Sequence, residues 1–422
     1  MAALLGCIAD DFTGGTDLAG MLVKHGMRTV QMIGIPEGPP PEDVDAIVVA
    51  LKSRTIAAEK AIAESLAALQ WLKDAGCRQF YFKYCSTFDS TDRGNIGPVT
   101  DALMSALGTK FTIACPAFPE NKRTIFKGYL YAGDVLLNES GMQNHPLTPM
   151  TDPNLVRVLQ RQTRRKVGLV SYETVTHSAE AIKTQFKELQ RQGVEIAIVD
   201  ATSNDDLLHI GAACAELPLL TAGSGIALGL PQNFRTQRLL PESACADSLP
   251  KTHGLRAIVS GSCSVATQAQ VATMIKERRP VFSVDPIRLA AGEDLVRAAL
   301  TWAAPLLEMG PVLIYATAAP EDVKAVQAQL GIQRAGQLVE EALAAIAQGL
   351  VELGVRQLVV AGGETSGAVV NALGVKGLRI GPQIDPGVPW TASLSDKPLA
   401  LALKSGNFGT PDFFLKAWEK LP

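Results

Sequence analysis

Asp10 and Asp11 are adjacent carboxylates at the end of a short apolar run: residues 8–14 read I-A-D-D-F-T-G. Residues 4–9 have the length and apolarity of a buried parallel strand. The pair should therefore leave its sheet at the carboxyl edge, where open α/β sheets bind ligands. Two charges so close repel, and a cation, a substrate hydroxyl or a basic side chain must offset them. One carboxylate there suits the task of orienting an attacking hydroxyl and taking its proton, while the other could hold Mg2+ directly or through water. The plainer alternative is that one Asp caps the following helix and the other is solvated.

Basic and hydroxyl side chains follow other strand-like segments. Residues 52–55 read K-S-R-T, Lys83 lies near the end of a further strand, and residues 86–97 read S-T-F-D-S-T-D-R-G-N-I-G. Arginine binds a carboxylate with two parallel hydrogen bonds, and Asp or Asn exchange hydrogen bonds with sugar hydroxyls. Arg54, Lys83, Asp89, Arg93 and Asn95 are thus candidate contacts to a small polyhydroxy acid. Either arginine could equally sit in a surface ion pair. Lys83 should not be buried unpaired, so it is a site residue or a salt-bridge partner. His145, in N-H-P-L-T at residues 144–148, is one more candidate contact, although an isolated His is often structural.

In the second half, three strands end in glycine loops carrying hydroxyls, and each is expected to open a helix. They are S-G-S-C-S at 260–264, G-G-E-T-S-G at 362–367 and S-G-N-F-G at 405–409. Glycine lets backbone N–H groups approach a ligand, and a helix N-terminus adds free donors and the positive end of a dipole. Ser260, Gly261, Ser262, Gly362, Gly363, Glu364, Thr365 and Gly406 are therefore candidate polyphosphate contacts; the alternative is that the glycines only permit tight turns. Neither GxxxxGK[ST] nor GxGxxG occurs, so this would be an ATP site of another type, and a dinucleotide-dependent dehydrogenase is disfavoured.

The elements that must position these groups alternate strand and helix, the signature of mainly parallel sheets covered by helices. Strands are expected at 4–9, 29–33, 46–50, 79–84, 111–114, 167–170, 195–199 and 218–221, then at 256–259, 281–284, 312–316, 357–361, 378–380 and 399–403. Residues 124–137 read as an inserted hairpin, and 231–254, polar and without period, as a linker. The fold class is α/β with two domains, each a mainly parallel sheet with helices on both faces: residues 1–230 for the sugar acid and 255–422 for the nucleotide.

Composition narrows the partners. A 422-residue chain with a net charge of only −3 has no general basic field for nucleic acid or an anionic membrane. Its apolar runs are too short to span a bilayer, and the N-terminus runs straight into two aspartates, so a cytoplasmic location is expected. Seven cysteines without a CxxC pair and five scattered histidines give a zinc site little support. The metal ligands are unknown from sequence, and a homodimer is compatible with it.

I-A-D-D-F-T-G-G-T-D-L-A, K-Y-C-S-T-F-D-S-T-D-R-G-N-I-G-P-V, H-P-L-T-P-M-T-D, A-G-G-E-T-S-G and L-K-S-G-N-F-G, in this order, resemble the four-carbon acid sugar kinase family over essentially the whole chain. The resemblance implies an N-terminal acid-sugar domain, a C-terminal ATP domain, and transfer of the ATP γ-phosphoryl to the 4-hydroxyl of a four-carbon sugar acid. It carries ATP contacts onto Ser260, Gly362 through Thr365, and Gly406. Phe12, where threonate and erythronate kinases often have Leu, and T-V-Q-M-I-G-I-P at residues 29–36 incline the substrate toward a 3-oxo-tetronate. A sugar-acid-binding protein without chemistry is the alternative from another class.

Overall fold

The computed structural model describes residues 3–88, 91–144, 148–242, 245–318, 325–326 and 328–421. The chain divides into two compact units, residues 1–247 and 248–422. The segment 231–254 is not wholly irregular, because the helix Leu230–Thr236 runs into it.

The strands of the first unit are β1 (Leu5–Ala9), β2 (Thr29–Ile33), β3 (Ala46–Ala50), β4 (Gln79–Lys83), β5 (Thr112–Cys115), β6 (Arg123–Phe126), β7 (Tyr129–Ala132), β8 (Val135–Leu136), β9 (Val167–Val170), β10 (Ile196–Val199) and β11 (Leu219–Ala222). Its main sheet runs β2-β3-β1-β4-β11-β5-β10-β9, and all neighbours are parallel. Every residue of β1, β3 and β4 is buried, as strands covered on both faces must be. The chain goes to one side of β1 for β2 and β3, then to the other for β4. This places the topological switch point, and its ligand crevice, between β1 and β4. Residues 123–136 form a separate three-stranded antiparallel sheet, one strand more than the expected hairpin. Asp200, just beyond β10, ties it to the main sheet by accepting from the backbone N–H groups of Lys127 and Gly128 at 2.7 and 2.8 Å.

The second unit contains β12 (Leu255–Ser260), β13 (Val281–Ser283), β14 (Val312–Tyr315), β15 (Val355–Ala361), β16 (Gly377–Asp385), β17 (Val388–Ser393) and β18 (Ala400–Lys404). Its order is β13-β14-β12-β15-β18-β17-β16, parallel through β18 and antiparallel beyond. Here the direction of winding reverses between β12 and β15. Trp390 on β17 is fully buried, donates its indole N–H to the Ala417 carbonyl at 2.7 Å, and packs against Trp418.

In the first unit, the helix Asn204–Ala213 crosses the chain at Gly229 with no room for a side chain: a Cβ on Gly211 would lie 2.6 Å from the Gly229 Cα. Gly211→Ala should therefore cost about 2 kcal/mol by overpacking. A lowered urea midpoint checks this, and an unchanged midpoint would show that the crossing yields freely.

Candidate functional site

Register brings the first group of residues together. Ala9 pairs with Ala50 on one side and with Lys83 on the other, so Asp10, the 51–54 segment and Lys83 all emerge at one level of the carboxyl edge. Backbone bonds then fix the exits: Asp10 N–H donates to the Lys83 carbonyl at 3.0 Å, and Ser53 N–H donates to the Asp10 carbonyl at 3.0 Å.

A basic side chain offsets the carboxylate pair. Arg54 donates Nε and Nη2 to the two oxygens of Asp10 at 2.9 and 2.8 Å, and Nη2 also to Asp11 Oδ1 at 2.6 Å. Asp11 is the extended residue just before the helix Phe12–Lys24, but its side chain makes no capping bond; Thr13 Oγ1 donates to it at 3.2 Å instead. Burial raises the Asp10 pKa despite the attraction of Arg54. Burial pushes on Asp11 as well, yet the charges of Arg54 and Lys83 outweigh it and hold the pKa below the usual value. The two acids are thus driven apart, with the Asp10 side chain 5% exposed and that of Asp11 29%.

Lys83 is 2% exposed, and among the described residues its ammonium makes no hydrogen bond and no ion pair. It lies against the first turn of the same helix: a Cβ on Gly14 would be 2.9 Å from Lys83 Nζ and 2.1 Å from Asp11 Oδ1. A larger residue there would push the Asp11 carboxylate and the Lys83 ammonium out of place. Asn95 lies behind the cluster, where its Nδ2 donates to the carbonyls of Ser53, Arg54 and Ile56 at 2.8, 3.2 and 2.9 Å. Its amide thereby fastens the loop that carries Arg54. The Arg93 side chain is exposed and forms no ion pair among the described residues. Asp89 and His145 lie outside the described residues.

Sequence reasoning passed over Asp17. It sits on the inner face of the helix Phe12–Lys24, 6% exposed, accepts from Ser224 Oγ at 2.6 Å, and has no partner for its other oxygen among the described residues. Burial lifts its pKa to about 6, helped by Asp11 and Glu120 and opposed by Lys83 and the Ser224 hydrogen bond. The available signal was a carboxylate at a helical position flanked by Leu18, Ala19 and Leu22 on a buried face.

In the second unit, Ser260 pairs with Ala361, and Ala361 with Lys404, so the three glycine loops leave adjacent strands from one row. They touch. A Cβ on Gly261 would meet Thr365 Oγ1 at 2.2 Å, one on Gly362 would lie 3.2 Å from the Ser262 nitrogen, and one on Gly406 would lie 2.4 Å from Ser262 Oγ. Gly362 has φ +124°, a conformation open to glycine but strained for other residues. Ser260 Oγ is bound to Thr317 Oγ1 at 2.8 Å.

The loops are not equivalent. Ser264 caps the helix Val265–Lys276 by accepting from Thr267 N–H, whereas Gly362 gives the helix Gly363–Ala372 no side-chain cap. That second helix begins with Gly363 and Glu364 exposed, and the first turn of a helix presents N–H groups that suit an anion. The third loop was expected to open a helix, and it does not. It closes a turn at residues 405–408, and the next helix, Phe413–Lys416, starts only after Gly409 at φ +84° and Pro411. Among the described residues no group of three Asp, Glu, His or Cys side chains is arranged to hold a metal. No described helix is long and apolar enough to cross a membrane.

Known proteins share this architecture. A model of a sugar-binding N-terminal domain matches residues 5–230, and one of a nucleotide-binding C-terminal domain matches residues 257–414. A 3-oxo-tetronate kinase of Cupriavidus necator is 62% identical over 421 residues, covering 99% of this chain and 97% of that protein. One of Burkholderia multivorans is 63% identical over 418 residues, with 99% and 97% covered. Among solved structures, a Haemophilus influenzae protein is 46% identical with a TM-score of 0.81, covering 99% of this chain and 100% of its own. One from Salmonella typhimurium LT2 is 44% identical with a TM-score of 0.90 and 99% of each chain covered. With both domain models matched in order and relatives of this identity over almost its full length, the chain belongs to the four-carbon acid sugar kinase family.

Proposed function

We propose that the protein transfers the γ-phosphoryl group of ATP to the 4-hydroxyl of a 3-oxo-tetronate. The observation that carries this reading is the full-length likeness to relatives named 3-oxo-tetronate kinase, at 62 and 63% identity. The geometry supports it, with an acid-and-base cluster at one switch point and converging glycine loops at another. In the reaction the substrate O4–H bond breaks as O4 bonds to the γ-phosphorus, the bond from that phosphorus to the bridging oxygen breaks, and ADP leaves. Asp11, the more exposed of the pair, takes the proton. Asp10 holds Arg54 in place, Arg54 and Lys83 bring positive charge to the substrate carboxylate, and Asn95 serves by fastening the loop of Arg54; Arg93 is a further candidate contact, as are Asp89 and His145 from the sequence alone. The ATP phosphates are taken by the first-turn backbone of Gly363, Glu364 and Thr365, by Gly406 and by the Ser262 hydroxyl, whereas Gly261 and Gly362, whose N–H groups donate to the carbonyls of Ala361 and Lys404, and Ser260, fully buried against Thr317, shape the loops behind them. Mg2+ would arrive on those phosphates, as it commonly does, since the described residues form no three-ligand cage.

ADP release measured over a panel of four-carbon acids should be strongest with a 3-oxo-tetronate. Preference for D-threonate or D-erythronate would move the protein to that branch, and no ADP release with any acid would sink the kinase reading. Thermal stabilisation by ATP separates a kinase from a sugar-acid-binding protein, which nucleotide should leave unmoved.

Asp11→Asn should lower kcat by about a hundredfold or more, the size of a lost general base, with thermal stabilisation by ATP retained. Wild-type turnover would remove Asp11 from proton transfer.

Asp17 makes stability depend on pH. A carboxyl whose pKa is raised from 3.8 to about 6 on folding binds its proton more tightly in the folded state, so stability falls as pH rises through that window. Asp17→Asn, which mimics the protonated acid, should match wild type near pH 4 and exceed it in stability by on the order of 2 kcal/mol above pH 7. Parallel pH–stability curves for the two proteins would contradict this.

A further inference from the structure

Lys404, the last residue of β18, is fully buried, yet no carboxylate pairs with it among the described residues. Its ammonium donates to Thr267 Oγ1 at 2.9 Å and to the carbonyls of Ser405 and Gly406, each at 3.0 Å. The Gly406 carbonyl also accepts from Thr267 Oγ1 at 2.8 Å and from Ser264 Oγ. The Ser405 carbonyl in addition accepts from Phe408 N–H at 3.2 Å, closing a turn. Two successive carbonyls are thus drawn inward onto one buried cation.

A trans peptide points its N–H opposite to its carbonyl, and no peptide bond here is cis. The N–H paired with the Ser405 carbonyl is that of Gly406, and the N–H paired with the Gly406 carbonyl is that of Asn407. Both are therefore turned away from Lys404. Neither donates a hydrogen bond among the described residues, and Asn407 is exposed. Two adjacent outward N–H groups backed by a positive charge are the elements of an anion-binding nest. This one borders the first glycine loop, since Gly406 lies against Ser262.

We propose that Lys404 is a positioning residue that aims the Gly406 and Asn407 N–H groups at a phosphate of the bound nucleotide, adding its own charge from below. The proposal rests on the nucleotide-binding part of the function above and assigns it a donor, Asn407 N–H, and a buried cation. Because all three ammonium hydrogens are spent on the protein, Lys404 acts through the turn and through its field rather than by touching phosphate. Burial without a counter-ion pulls its pKa down to about 7, a strain that an anion above the turn relieves.

The test compares ligands with different numbers of phosphates. In the full-length protein, the amide resonances of Gly406 and Asn407 should move on addition of ADP or inorganic tripolyphosphate and stay in place with adenosine. Lys404→Met should weaken ATP and ADP at least tenfold, ATP the more, while adenosine affinity changes less than twofold; Lys404→Arg should restore part of the loss. Equal weakening of adenosine and ATP would show a merely structural lysine and overturn the proposal. If Lys404→Met does not fold, the wild-type amide shifts decide: movement with tripolyphosphate supports the nest, and unmoved amides refute it. Tripolyphosphate shifts without ADP release in any acid assay would leave the nest standing and remove the kinase reading instead.

Discussion

A strand buried on both faces has only its ends to give to chemistry. In the parallel sheets of this chain that constraint decides where the carboxylate cluster and the glycine loops sit, because the register puts the ends of neighbouring strands in one row. In the first unit, Ala9, Ala50 and Lys83 share a row, and the residues that follow them carry the carboxylates and Arg54. In the second, Ser260, Ala361 and Lys404 share another, and the residues that follow are the glycine loops. The hydrogen-bond ladder, formed by apolar residues, thus sets the spacing of charged ones.

Charge at these edges is managed in two ways. The first unit pairs opposite signs, with one guanidinium bridging two carboxylates and a lysine held close by without a direct bond. The second unit satisfies a buried lysine with neutral oxygens only. Pairing orients groups tightly at the expense of net field, whereas neutral coordination leaves the field of the cation intact for an incoming anion.

Much of this could be read from the chain. Asp10, Asp11 and Lys83 stood out because a charged residue ending an apolar strand needs a reason. The same rule applies to Lys404 at the end of A-L-A-L-K, but the glycines beside it drew the chemical interpretation. Asp17 was harder, since a helical residue reveals its buried face only once the packing partner, here Ser224 more than two hundred positions away in sequence, is known. Asn95 illustrates a further limit: an amide with sugar-binding chemistry is equally able to bind carbonyls, and residue type does not choose between them. In the antiparallel pair β16 and β17, Pro382, Gly387 and Pro389 interrupt the sequence pattern so that only 378–380 reads as a strand, while the structure accommodates them with register shifts and a turn. In the third glycine loop, Pro411 delays the helix that glycine and serine suggested.

The grip of Asn95 on the 53–56 segment also couples that segment to a helix. One side-chain amide serves three carbonyls, and the helix Ile96–Leu107 begins immediately after it. The backbone that carries Arg54, and through Arg54 the carboxylates of Asp10 and Asp11, is thereby tied mechanically to the first turn of that helix.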